Sequence, residues 1–446
     1  MIIMRRSSVK SARVVPDFAR GRLTHRDPTW IGAFVSSFML GKIVNTSRRS
    51  GVLLALLIGL CGLGEISTQL LIPSLRELES GLGAAPGTSL AALSMFVAAF
   101  GIGQLFFGPL SDRLGRRPLL LAGVATYLLA SLWMVFAQNM DEFIAGRALQ
   151  GLGACAALVV ARSIVRDVWK ERAGPIMAIT VIGMLSAIML SPVLGGLIAT
   201  HAGGWRAVVV ATVLFGALAL IASLFFKETH LQRDPNAGRL KTLMGNYAML
   251  LKGSSVRSFS VAIACTYGAM FSFIAGSSRV FVGQLGLSPT QYGLVFGGIV
   301  SGLIAGAIYT NRTIIQSGPE KIVAIGTGLV AIGASLSLVF HQIAGPSVAG
   351  LMLPQMLLTL GAGMVLPGSV AGAVIPNPAR AGLAAGFIGF AQMAGATVSG
   401  LLLSRLQDDT AFAMVALNAA FAVCGFVMFR VMLAHKHRAA KVALEK

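Results

Sequence analysis

What most constrains this chain is the recurrence of long apolar runs separated by short charged joints. An α-helix needs roughly 20 apolar residues to cross a hydrocarbon core of about 30 Å, and in a window of that length about twelve spans stand out. They cover residues 51–75, 89–110, 118–137, 142–163, 175–200, 206–226, 258–281, 290–311, 321–341, 347–374, 381–404 and 411–433. A mean hydropathy of +0.79 with only 12% charged residues belongs to a membrane protein. The expected fold is therefore all-α and polytopic. Glycine is abundant, 53 in all, and pairs such as Ser191 with Gly195 and Gly302 with Gly306 have the small-xxx-small spacing that lets helix backbones approach closely in lipid. That predicts a packed bundle rather than separate anchors.

A net charge of +20 would suggest nucleic acid in a soluble domain, but its position excludes that reading. Counting joints from an inside amino terminus places Arg113, Arg116, Arg117, Arg166, Lys170, Arg172, Lys227, Arg233, Arg239, Lys241, Arg312, Lys321, Arg380 and the tail from Lys436 on one side, and only Arg76, Arg206, Arg279 and Arg405 on the other. Basic joints stay in the cytoplasm, so both termini are expected there, with anionic membrane lipid as a partner. Residues 1–50 read as a basic cytoplasmic extension without a secretory signal, its run WIGAFVSSFML being too short to span, or as the product of a start upstream of Met39. The four cysteines lie in different spans with no metal-type spacing.

The longest interior polar stretch, residues 227–257, divides the spans into halves at 51–226 and 258–433, with a cytoplasmic tail at 434–446. A faint repeat supports two lobes. GPLSDRLGRR follows the second span, and YTNRTIIQSGPEK follows the eighth, with Asn311 and Arg312 in the places of Asp112 and Arg113. Internal repeats of this kind are typical of secondary transporters, whose substrate site lies between the lobes near the midplane. In the first of these turns Gly108 permits close packing and Gly115 permits backbone angles closed to other residues. Asp112 suits a helix amino terminus or a neighbouring cation, and Arg113, Arg116 and Arg117 can bridge to carboxylates or lipid phosphates. The turn is then either a gate latch on the cytoplasmic side or a plain basic turn.

The run LSMFVAAFGIGQLFFGPLSDRLGRRPLLL resembles the signature loop of the major facilitator superfamily, in the form of its bicyclomycin and chloramphenicol resistance (Bcr/CflA) drug-efflux subfamily. So do RALQGLGACAALVVARSIVRDVW, SPVLGGLIATHAGGWRAV, FSFIAGSSRVFVGQLGLSPTQYGLVFG and GFIGFAQMAGA. The resemblance implies two six-helix lobes and a proton-coupled antiporter that exports small amphipathic or apolar compounds across a bacterial inner membrane, acting as a monomer on small-molecule substrates and protons. The alternative within the same fold is a proton-driven carrier of one metabolite. A membrane receptor or polytopic enzyme would instead signal or turn over ligand without flux.

Among the carboxylates, Glu65 alone lies midway along a span, and an intramembrane carboxylate is a functional candidate by default. Cys61, Glu65, Thr68 and Gln69 share one helix face, expected to line the central cavity. Relatives of this type carry an aspartate in an STDxxxP arrangement, where this chain reads STQLLIP. Gln69 cannot titrate, so either Glu65 has taken over the proton or coupling differs. Arg147 occupies the intramembrane arginine position that the resemblance implies, with backbone carbonyls or Glu65 as expected partners. SPVLGG, comprising Ser191, Pro192, Gly195 and Gly196, resembles an antiporter motif with serine in place of its usual glycine; the alternative is a simple helix bend. Phe96, Tyr267, Phe271, Phe273, Met356, Met364 and Phe390 are candidates for an adaptable apolar cavity, or else for packing.

Other chemistry is disfavoured. GLGACA imitates a dinucleotide fingerprint but lies inside an apolar run with no preceding strand, and no GxxxxGK[ST] loop for ATP is present. The six histidines avoid the span centres, which disfavours a buried metal. The chain is expected to be no enzyme, to need no cofactor, and to be driven by the proton gradient.

Overall fold

Thirteen α-helices follow one another in the computed structural model, which describes residues 48–230, 238–406 and 411–444. The extension through residue 47, with WIGAFVSSFML, lies outside the described residues, as do Arg233, Asp408, Asp409 and Glu445. In chain order the helices are α1 Arg48–Leu71, α2 Leu75–Gly81, α3 Thr88–Leu114, α4 Arg116–Val135, α5 Met140–Trp169, α6 Ala173–Ala202, α7 Gly204–Leu224, α8 Leu240–Lys252, α9 Ser254–Ser278, α10 Pro289–Ala344, α11 Val348–Val374, α12 Ala381–Leu406 and α13 Phe412–Leu444. Among the described residues 11 helices are long and apolar enough to cross a membrane. One of them, α10, runs for 56 residues, about twice the length a single crossing requires, which restores the expected twelve spans.

That double helix marks the repeat. Gly318 interrupts α10 with φ 72° and ψ 156°, and Gly115 separates α3 from α4 with φ 101° and ψ 158°. Both are left-handed, extended conformations that a side chain would strain, so the two halves turn on the same backbone device. Helix starts elsewhere are capped by sequence. The Asn139 side chain accepts from the Glu142 N–H at 2.9 Å, Ser288 and Gln291 form a capping box, and Ser347 accepts from the Gly350 N–H at 3.1 Å.

Residues 53–446 form one compact body. In its first half α5 packs on α3 and α4, and α4 on α7; in its second, α10 packs on α11 and α13, and α9 on α12 and α13. The halves meet along two seams, α3 with α12 and α6 with α10. Small residues set these approaches. A Cβ on Gly195 would run into the Leu70 carbonyl, joining α6 to α1, and one on Gly306 into the Leu360 carbonyl, joining α10 to α11.

The polar stretch 227–257 departs from a plain linker. Within it Leu243 and Leu250 are buried, and with Tyr247 they give α8 one apolar face. Tyr247 donates to the Leu105 carbonyl of α3 at 2.9 Å while its ring meets Phe387 of α12. The stretch therefore clips the first seam at the end of the bundle that holds Asp112 and Glu228, called the basic end below.

Candidate functional site

Four helices, two from each half, meet around a central cavity of about 20 Å³, room for roughly one water. Helix α1 supplies Glu65, Thr68 and Gln69; α3 supplies Phe96, Val97 and Phe100; α9 supplies Tyr267, Phe271 and Ile274; and α12 supplies Met393. Spacings of three and four residues on α1 turn Glu65, Thr68 and Gln69 to one side. Six of the residues singled out in the sequence, Glu65, Thr68, Gln69, Phe96, Tyr267 and Phe271, are thus brought together.

The other cavity candidates sit elsewhere. Cys61 is buried one turn before Glu65. Phe273 packs edge-on against Phe281, centroids 6.1 Å apart, and Phe390 lies against Phe387 at 6.0 Å. Met364 is buried beside Gly326, and the Met356 backbone faces Gly302.

Arg147 is 1% exposed and is held by neutral groups. Its guanidinium lies 4.2 Å over the Phe96 ring, donates to Gln150 Oε1 at 2.5 Å and to Thr68 Oγ1 at 3.3 Å. Gln150 in turn donates to Ser131 Oγ at 2.7 Å. Among the described residues the expected contact with Glu65 is not made, nor a hydrogen bond to a backbone carbonyl. Gln69, 3% exposed, leaves its Oε1 without a hydrogen-bond partner.

Further groups outside the cavity lining were given no role by the sequence. Arg162 on α5 is exposed although Ala161, Ser163 and Ile164 beside it are buried, and its charge acts on Glu65, Cys61 and Cys155. Its place seven residues after Cys155, on the same helix face, was the available signal. Tyr267 on α9 lines the same cavity as Glu65, bringing the second half up to the carboxyl. At the far end Glu79 Oε2 pairs with Arg279 Nη2 across the halves at 3.0 Å, the two side chains being 6% and 21% exposed. Glu79 Oε1 also accepts from Gly87 N at 2.8 Å, Ser89 N at 3.1 Å and Ser89 Oγ at 2.5 Å, holding the start of α3. A larger cavity of about 380 Å³ opens beside this pair.

The charged turn at the basic end forms a brace within the first half. Arg116, 4% exposed, pairs with Asp112 at 2.6 Å and with Asp167 of α5 at 2.9 Å, and donates to Ser111 Oγ. Glu228, beyond α7, accepts from the backbone N–H groups of Arg116 at 3.0 Å and Arg117 at 3.1 Å, at the positive end of α4. Partial burial works to raise the Glu228 pKa, but the N–H groups of His230, Arg117, Arg116 and Thr229 outweigh it and hold the carboxyl below its usual 4.5. Arg117 reaches the Leu224 carbonyl at 3.2 Å. Arg113 is exposed, and a Cβ on Gly108 would meet open space. In the second half the place of this brace is taken by Lys436 and Glu320, 2.5 Å apart.

The span-five motif lies at the other seam. Ser191 Oγ donates to the Ala187 carbonyl at 2.6 Å, the helix runs on through Pro192, and Gly195 and Gly196 are buried. The neighbouring Val193 meets Gly293 of α10, so the motif stands where α1, α6 and α10 converge.

Comparison with known proteins fits this geometry. The chain is similar to a chloramphenicol resistance protein of Pseudomonas aeruginosa, 29% identical over 324 residues that cover 72% of this chain and 74% of the relative. It is 27% identical over 353 residues to a bicyclomycin resistance protein homolog of Haemophilus influenzae, covering 77% and 86%, and 26% identical over 383 residues to multidrug resistance protein D of Escherichia coli, covering 84% and 95%. Among solved structures a D-xylose–proton symporter aligns with a TM-score of 0.64 at 16% identity, over 86% of this chain and 97% of that one. A peptide transporter aligns at 0.67 and 14% identity, over 86% and 94%. With the described family of the Major Facilitator Superfamily matching residues 54–280, the twelve-span fold and the relatives converge: the chain belongs to the major facilitator superfamily of membrane transporters.

Proposed function

We propose that this transporter is a proton-coupled antiporter that exports small amphipathic or apolar compounds, drugs among them, across the bacterial inner membrane by alternating access, with both termini in the cytoplasm. The observation that carries the reading is Glu65, a carboxyl in the central cavity between the halves, beside Thr68, Gln69 and Tyr267. A carboxyl there can take a proton from one side of the membrane and surrender it to the other as the halves rock about the site. The names of the relatives, resistance proteins for chloramphenicol, bicyclomycin and multiple drugs, support export as the direction. Aromatic walls from Phe96, Phe100 and Phe271 suit apolar bodies of varied shape.

In this reading Glu65 carries the proton, Arg147 holds Thr68 and Phe96 in place around it, and the brace of Asp112, Arg116 and Asp167 keeps α3, α4 and α5 moving as one piece at the cytoplasmic gate. The convergence at Ser191, Pro192, Gly195 and Gly196 serves as the pivot seam on the other side. The test is efflux from cells expressing the chain, with chloramphenicol and several unrelated amphipathic compounds, before and after collapse of the pH gradient. Protection against more than one compound, lost on collapse, is expected. Protection against none points to the single-metabolite carrier.

A further inference from the structure

We propose that α8 is a clamp worked by anionic phospholipid: its exposed apolar strip enters the acyl boundary of the membrane, its lysines take the headgroups, and the lipid so bound keeps the first seam shut at the basic end. Of the reading above it uses only the cytoplasmic placement of that end. Depth is set by the neighbours of α8. Gly253 alone joins it to the spanning helix α9, and Tyr247 bonds the carbonyl of Leu105, nine residues before the end of α3. A rise of about 1.5 Å per residue puts that contact about 13 Å inside the helix end. Helix α8 therefore lies where the spans leave the hydrocarbon, not out in the solvent beyond them.

The bundle covers only part of its apolar surface. At about 3.6 residues per turn, Leu243, Tyr247 and Leu250 form the inward strip, and Met244, Ala248 and Leu251 form a second strip beside it. The second strip is exposed, Met244 by 64% and Leu251 by 39%. Lys241 and Lys252 lie on its outer flank, and Thr242 stands on the opposite side of the helix. Core-facing strip, exposed apolar strip and lysines in that order make the pattern of a helix lying in a membrane interface, with apolar side chains toward the acyl chains and cations toward the headgroups.

Charge selects the occupant. Arg239, Lys241, Lys252 and Arg257 are exposed on and beside α8, and Arg380, just before α12, reaches Met249 Sδ at 3.7 Å. None of the five forms an ion pair with a described residue, and in sequence no acidic residue lies between Asp234 and Glu320. A cationic border around an apolar strip matches an anionic headgroup on acyl chains. The chain's own extension is itself basic, so the same cations repel it. The consequence for the seam follows from Tyr247, whose hydroxyl holds α3 while its ring meets Phe387 of α12. Lipid that holds α8 in the interface favours the arrangement in which both contacts exist, and so opposes parting of the halves at this end.

The test uses the full-length chain, freed of its four cysteines, in phosphatidylcholine nanodiscs with and without phosphatidylglycerol. A fluorophore on Met244→Cys should be quenched by lipids carrying a nitroxide on the acyl chain, and one on Thr242→Cys should not. Trace nitroxide phosphatidylglycerol should quench at Met244→Cys as well as at least about fivefold more nitroxide phosphatidylcholine, the preference that a basic side chain at an anionic surface gives. Lys241→Gln with Lys252→Gln should abolish that preference, and soluble glycerol phosphate should not compete. At the seam, maleimide labelling of Gln104→Cys on α3 should be several-fold slower with phosphatidylglycerol present, and the slowing should vanish in the double lysine variant. Quenching by neither lipid, which would give the strip to a protein partner, overturns the proposal. So do equal quenching by both lipids, a preference unchanged without the two lysines, and seam labelling indifferent to phosphatidylglycerol. Neither readout involves transport, so failure of the exporter reading leaves both standing, and their failure leaves that reading intact.

Discussion

The ion pair between Glu79 and Arg279 ties the halves together at the far end, and breaking it has a calculable consequence. Glu79→Gln keeps an acceptor oxygen for Gly87 and Ser89 but removes the charge that faces Arg279 at 3.0 Å. A hydrogen bond between charged groups contributes about 1.5–3 kcal/mol. The low exposure of both side chains, 6% and 21%, keeps solvent screening small, so the middle of that range, about 2 kcal/mol, is the expected loss. Each 1.4 kcal/mol is a factor of about ten in an equilibrium, so opening at the far end should become roughly 30-fold more frequent. The assay places a cysteine at Phe271, which lines the central cavity, in a chain lacking Cys61, Cys155, Cys265 and Cys424, and follows its reaction with a membrane-impermeant maleimide from that side. Labelling should accelerate by about that factor in Glu79→Gln. An unchanged rate would refute the reasoning.

Three further outcomes follow from the packing. Because its pKa is depressed in the folded chain, Glu228 stabilises the fold fully above its unfolded value near 4.5, and the contribution is lost as pH falls through the lower folded value. Glu228→Gln should therefore melt at a lower temperature than the parent at pH 7, with the gap closing in acid; a gap independent of pH contradicts the assignment. Gly195→Ala drives a Cβ into the Leu70 carbonyl and should cost about 1–3 kcal/mol, read as a drop in melting temperature in detergent, whereas Gly108→Ala, which meets open space, should be near neutral. Arg147→Lys removes the planar group that stacks on Phe96 while bonding Gln150 and Thr68 and should destabilise by about 1–3 kcal/mol despite keeping the charge.

Much of this architecture was legible in the sequence because lipid imposes simple rules. Span length and hydropathy gave the helices, and the interruption at Gly318 was visible as a charged joint although α10 runs through it. The face of Glu65, Thr68 and Gln69 followed from helical spacing alone. What escaped were pairings between distant segments, which no local pattern encodes. The partners of Arg147 proved to be Gln150 and Thr68 rather than Glu65, because the ring of Phe96 occupies the space beside the guanidinium. Glu79 read as one more carboxylate at a helix end, and its role arises from the 200 residues that separate it from Arg279. Arg162 was masked by its place near the end of a span, where a basic residue ordinarily reaches outward to water. Helix α8 was hidden because its apolar face is short and bordered by Lys241 and Lys252.

The central claim is that Glu65 exchanges its proton for substrate. The most direct measurement is proton release into a weakly buffered solution when substrate is added to the purified chain, compared with Glu65→Gln. Release by the parent that disappears in Glu65→Gln, while substrate binding persists, is the predicted result; undiminished release from Glu65→Gln would contradict the account.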